Sequence, residues 1–113
     1  MRPEEADAFC RGLPGATAQI QWETDLVFKV GGKMFAVMGP SGSLSFKAND
    51  IAFEMLVETG QARSAPYLAR AKWVLLDDLM SMPGEDLRGY LSESHTIVAA
   101  KLTRKLRAEL GLS

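Results

Sequence analysis

At 113 residues the chain has the size of one domain, and its 47% hydrophobic and 24% charged content excludes the disordered class. A net charge of −1 gives no long-range attraction to nucleic acid or to an anionic membrane, so any such contact must come from a local patch. The lone Cys10 excludes an internal disulfide, and no run approaches the roughly 20 apolar residues of a membrane span, so a soluble cytoplasmic protein with no signal peptide is expected.

Pro3 suits a first helical position, and Glu4, Glu5 and Asp7 favour the positive end of the helix dipole. A helix is expected from about Pro3 to Gly12, with Ala6, Phe9, Cys10 and Leu13 at helical spacing and "LPG" ending it. From Ala16 to Lys47 the period becomes two, as Leu26, Phe28 and Val30 alternate with Val27 and Lys29. "VGGK" and "GPSG" are glycine turns, so strands near 17–22, 25–30, 33–38 and 43–47 form an antiparallel meander.

Asn49 or Asp50 can cap the next helix, "IAFEMLVETG", with Ala52, Met55, Leu56 and Thr59 on one face and Gly60 as the stop. "KWVLLD" at 72–77 is apolar on both faces, as in a covered or central strand. Pro83 begins a short helix, "GEDLRGYL", that turns Leu87, Tyr90 and Leu91 inward. A long terminal helix from about Ser94 to Leu110 then repeats Val98, Leu102, Leu106 and Leu110, and Ile97 widens the stripe. The element order argues an α+β domain over residues 1–113, with helices packed on one face of the sheet.

"GGKMFA" at 31–36, "LSFKAND" at 44–50, "APYLARAKWVLLD" at 65–77 and "ESHTIVAAKLTRKLR" at 93–107 together resemble the MmcQ/YjbR family of small bacterial proteins. The resemblance covers nearly the whole chain and implies a CyaY-like (frataxin-like) α+β fold and the family's usual label of DNA-binding protein. It supplies no reaction. The chain departs from the family pattern with His95 where tyrosine is usual and Thr103 where proline is common before the basic pair.

The first candidate site is "KLTRKLR". On the terminal helix Lys101, Arg104 and Lys105 fall within about 100° of one another and, with Arg107, offer a positive face to phosphates. Four phosphate contacts give a slope of log K against log salt of about −3.6. The plainer reading is a solvated helix end whose cations favour the dipole. In "SAPYLARAKWVLLDD", Tyr67 and Trp73 could stack on bases while Arg70 and Lys72 hold the backbone. Strand alternation instead sends Trp73 to the core, leaving Tyr67, Arg70 and Lys72 at the strand's entry.

Catalysis by a Cys10/His95 pair lacks an orienting partner, and Ser41-Gly42 lacks the spacing of a phosphate-binding loop. The fold suggested by the resemblance raises weak iron binding at Glu4, Glu5 and Asp7, which the helix dipole explains more simply. Asp77, Asp78, Glu85 and Asp86 read as solvated turns, since spacing alone does not show convergent ligands. The expectation is a non-enzymatic protein with no cofactor or metal that binds DNA weakly at Tyr67, Arg70, Lys72, Lys101, Arg104, Lys105 and Arg107. The alternative is a module for an unidentified protein partner. No membrane association is expected, and the protein should be a monomer or a weak homodimer.

Overall fold

The computed structural model describes residues 1–66 and 71–112. Helix α1 (Pro3–Arg11) leads into strands β1 (Ala16–Gln21), β2 (Asp25–Val30), β3 (Lys33–Met38) and β4 (Leu44–Lys47). Helix α2 (Asp50–Glu58) follows, then β5 (Arg63–Ser64), β6 (Trp73–Leu76), a 3-10 turn (Leu79–Ser81), α3 (Gly84–Ala99) and α4 (Arg104–Glu109). All six strands join one antiparallel sheet in the order β1-β2-β3-β4-β6-β5. The fold is the expected α+β arrangement with N-terminal and C-terminal helices.

The meander forms because period-two sequences meet at turns that favour reversal. Gly31 and Gly32 take φ of +58° and +81°, the left-handed pair of a tight hairpin, and bring Val30 opposite Lys33. Register then places Phe28, Ala36, Phe46 and Val74 side by side on one face, with Leu26, Met38, Leu44 and Leu76 beside them. That face packs with Ala6 and Cys10 of α1, Leu56 of α2 and Leu87, Leu91 and Val98 of α3 in one buried cluster. The fully buried rings of Phe28, Phe35 and Phe46 each contribute about 1.5–3 kcal/mol by leaving water.

Asn49 caps α2 as expected, its side-chain oxygen accepting from the Ala52 N–H at 2.7 Å. The helix turns Leu56 into the core with Ala52 and Phe53 beside it, while Met55 and Thr59 face outward. Strand β6 lies between β4 and β5. Its Val74 and Leu76 enter the main core, whereas Trp73 is buried but stands outside that cluster. The short β5 is a strand the sequence pattern misses, because two exposed residues carry no period.

The C-terminal helices differ from expectation. The segment "GEDLRGYL" and the first turns of the expected terminal helix are one helix, α3, which runs unbroken through Ser92, Glu93 and Ser94. The chain leaves helical geometry at Thr103, with φ −63° and ψ 155°, and the Thr103 hydroxyl accepts from the Leu106 N–H at 3.1 Å to cap α4. The four-residue repeat survives because Leu102 is buried between the helices and Leu106 and Leu110 pack half-buried on the core.

Buried polar side chains fasten α3 to its surroundings. Ser94 Oγ accepts from the Lys47 N–H at 2.9 Å and donates to the Phe35 carbonyl at 2.6 Å, joining α3 to β4 and β3. His95 Nε2 lies 2.7 Å from the Pro14 carbonyl, a contact that requires the proton on that nitrogen, and its ring meets Phe35 edge-on at 5.4 Å.

Candidate nucleic-acid interface

Lys101 lies in the link between α3 and α4, while Arg104, Lys105 and Arg107 belong to α4. The expected common face on one long helix is therefore absent: the extended Thr103 cap breaks the helix between Lys101 and Arg104. Arg104 and Arg107 instead line a shallow cavity of about 270 Å³ with Ala108 and Leu112, and Lys105 is exposed. Tyr67 and Arg70 lie outside the described residues.

Lys101 and Lys72 both bear electrostatically on a third lysine, Lys47. Strand pairing sets Lys47 opposite Trp73, and the Ala48 N–H donates to the Lys72 carbonyl at 2.9 Å, so Lys47 and Lys72 flank one junction of β4 and β6. Lys72 holds φ at +62°, a conformation that costs a side-chain-bearing residue about 1–2 kcal/mol. Its ammonium lies 5.0 Å from the centre of the Phe53 ring, a cation–π contact. Lys101 precedes Leu102, whose buried side chain seats on Gly31.

Lys47 registers this convergence. Burial lowers its ammonium below the ordinary lysine range, the charges of Lys101 and Lys72 lower it further, and Asp50 opposes them. The Lys47 ammonium also donates to the Ala71 carbonyl, which fixes its direction. Glu93 near this end of α3 accepts from the Asn49 side-chain amide at 3.4 Å. Lys47 thus feels the positive charge of Lys101 and Lys72, with Asp50 as a partial counterweight.

Elsewhere, acidic residues turn to local partners. Glu4 pairs with Arg2 at 2.9 Å, Glu5 accepts from the Arg2 N–H at 3.1 Å, and Asp7 pairs with Arg11. Asp77 pairs with Arg63 at 2.8 Å, and Asp78 accepts from the Met80 N–H at 2.9 Å to cap the 3-10 turn. Among the described residues, no group of three or more His, Cys, Asp or Glu could hold a metal ion. Burial, aided by Asp7, pushes the Cys10 thiol up to about 12, so it stays protonated at neutral pH.

The family model named YjbR matches residues 11–97, which include α1's last residue, the whole sheet and most of α3. This chain belongs to the YjbR family. Its fold is similar to the crystal structure of Deinococcus radiodurans protein DR2400, described by the family-model domain DUF419, with a TM-score of 0.85 and 26% identity. That likeness covers 97% of this chain and 88% of the other. A search of curated proteins finds no match. In this YjbR protein, α4 and four of the expected contact residues, Lys101, Arg104, Lys105 and Arg107, lie beyond the family match, whereas Lys47 and Lys72 lie within it.

Lys47 escapes sequence reasoning. It sits in "LSFKAND", where alternation marks it only as the polar partner of Phe46, and neither Lys72 nor Lys101 is near it in sequence. Lys72 and Lys101 of the expected set each act electrostatically on Lys47. Among the described residues no helix is long and apolar enough to cross a membrane.

Proposed function

We propose that this YjbR protein binds nucleic acid weakly, through phosphate contacts at Lys47, Lys72 and Lys101. The β4–β6 junction supports the reading: it sets Lys47 opposite Trp73, next to Lys72, and the charges of Lys101 and Lys72 both bear on Lys47, like charge that a phosphate would relieve. An anion at this point also offsets the repulsion among the three lysines. Phosphate contact requires no catalytic group, and the role proposed is binding without chemistry.

Three phosphate contacts give a slope of log K against log salt of about −2.7 on duplex and about −2.1 on a single strand, with dissociation constants of roughly 10⁻⁴ to 10⁻⁶ M at physiological salt. Fluorescence anisotropy with duplex and single-stranded oligonucleotides at two salt concentrations measures both. The triple variant Lys47→Ala/Lys72→Ala/Lys101→Ala should abolish the salt-dependent part, and Arg104→Ala/Lys105→Ala should leave most of it. Binding that is absent at low salt, or indifferent to the triple substitution, overturns the assignment.

A second reading, docking of a protein partner, is favoured by the outward side of α2, where Ile51 is 81% exposed and Met55 44% exposed one turn apart. A pull-down from nuclease-treated extract compared with Ile51→Glu tests it. A stoichiometric partner retained by the wild type and lost with the variant supports this reading, whereas identical retention counts against it.

A further inference from the structure

The two edges of the sheet are built differently. Strand β5 is two residues long, its Arg63 is charged and paired with Asp77, and Pro66 follows closely, all devices that keep a sheet edge from pairing with another chain. Strand β1 has six residues, ATAQIQ, with no charge, no proline and no bulge against β2. At its end Ile20 is 62% exposed and Trp22 60% exposed. Nothing in β1 discourages a further strand.

Its hydrogen-bonding direction follows from one contact. The Ala16 N–H donates to the Leu13 carbonyl at 3.0 Å and so is turned away from β2. Alternation along an antiparallel strand then turns the N–H and C=O of Ala18 and Ile20 to the open edge as well, while Gln19 faces Val27 of β2.

We propose that β1 pairs with β1 of a second copy of this chain, antiparallel across a two-fold axis at Gln19. The strand is complementary to itself in that register. Thr17 falls opposite Gln21 of the other copy and Gln19 opposite Gln19, which forms a polar ladder on one face. On the other face the exposed Ile20 falls opposite the small Ala18, large against small. Gln19 becomes a non-hydrogen-bonded pair flanked by the outward groups of Ala18 and Ile20, with Cα atoms about 4.5 Å apart. The pairing extends two six-stranded sheets into one. Six residues a side bury less than the roughly 800 Å² per partner of a standard stable interface, so the dimer is weak.

Sedimentation equilibrium of the full chain from 10 µM to 1 mM, each variant first checked for a wild-type melting curve, reads the association. The wild type should dimerise reversibly in that range. Gln19→Lys and Gln19→Glu should each weaken association at least tenfold, by placing like charges face to face, and an equimolar mixture should restore it. Gln19→Cys should form a disulfide-linked dimer under mild oxidation while Lys33→Cys, outside β1, does not. A wild type that stays monomeric at 1 mM, including one whose edge serves a different partner, overturns the proposal. So does association indifferent to charge at position 19, or a mixture no more associated than its components.

Discussion

Replacing Gly31 by alanine tests how the C-terminal basic residue is positioned. A Cβ at Gly31 would stand 2.6 and 2.7 Å from the two Leu102 methyl carbons and 3.2 Å from its Cγ, distances at which something must move. The backbone there has φ +58°, which costs alanine about 1–2 kcal/mol relative to glycine, and displacing a buried leucine adds about 1–3 kcal/mol. Gly31→Ala should therefore destabilise the domain by about 2–5 kcal/mol, a large part of the roughly 5–15 kcal/mol that a domain has. Gly32 is the internal control: φ is +81° but no atom lies within 4 Å of its Cβ position, so Gly32→Ala should cost only the backbone share. Urea unfolding followed by tryptophan fluorescence measures both, with equal m-values required for comparison. Gly31→Ala/Leu102→Ala should cost less than the sum of its single substitutions by about 1–3 kcal/mol, because truncating Leu102 removes the clash. Equal losses for Gly31→Ala and Gly32→Ala, or an additive cycle, would show that Leu102 does not seat on Gly31.

The remaining predictions concern single groups. Ser94→Ala leaves the Lys47 N–H and the Phe35 carbonyl without their buried partner and should cost about 2–4 kcal/mol in urea, whereas Ser92→Ala on the exposed side should cost under about 0.5 kcal/mol. The Cys10 thiol is raised from 9.0 to about 12 by burial and then by Asp7, so its share of stability is intact below about pH 9 and declines as pH rises toward 12. The stability gap between wild type and Cys10→Ala should accordingly narrow between pH 8 and pH 10.5, and a gap that widens refutes the shift. Since Lys47 is lowered by burial and by neighbouring cations, a larger fraction is free amine at pH 8. It should be acetylated faster than Lys33 in a mass-spectrometric time course and protected by a bound oligonucleotide. Lys72→Gly relieves a left-handed backbone while deleting one cation, so it should leave stability unchanged or raise it by up to about 1 kcal/mol and make the salt slope shallower by about 0.9. Net destabilisation by glycine at this position refutes the strain argument.

Where local chemistry decides structure, the sequence is readable. Strands 25–30 and 33–38 have the expected bounds because Gly31 and Gly32 supply the left-handed pair that their hairpin demands. The first helix and the Asn49 cap are legible for the same reason. The C-terminal helices are not, because the apolar stripe through Val98, Leu102, Leu106 and Leu110 is compatible with one helix or with two that share a core. The deciding signal is small: a threonine whose hydroxyl satisfies the Leu106 N–H as well as a helical carbonyl does. Conversely, Ser92 and Ser94 resemble a helix boundary, yet Ser94 is buried inside α3 because its hydroxyl finds partners on β4 and β3. β5 is invisible because its pairing with β6 is set by the tertiary fold.

The candidate site divides along the same line. Charge at Lys72 and Lys101 is visible in sequence, but their meeting at Lys47 depends on the β4–β6 register on one side and on the seat of Leu102 against Gly31 on the other. Helical spacing selects Lys101, Arg104 and Lys105 as one face only while the helix is continuous, and Thr103 removes that condition. Lys72 occupies a left-handed position where glycine would be cheaper for the backbone, and it holds its ammonium beside Phe53 near another cation. Local propensity and self-repulsion both oppose a lysine there. A stability-driven choice would remove the charge, so the cost falls where the proposed phosphate contact would repay it.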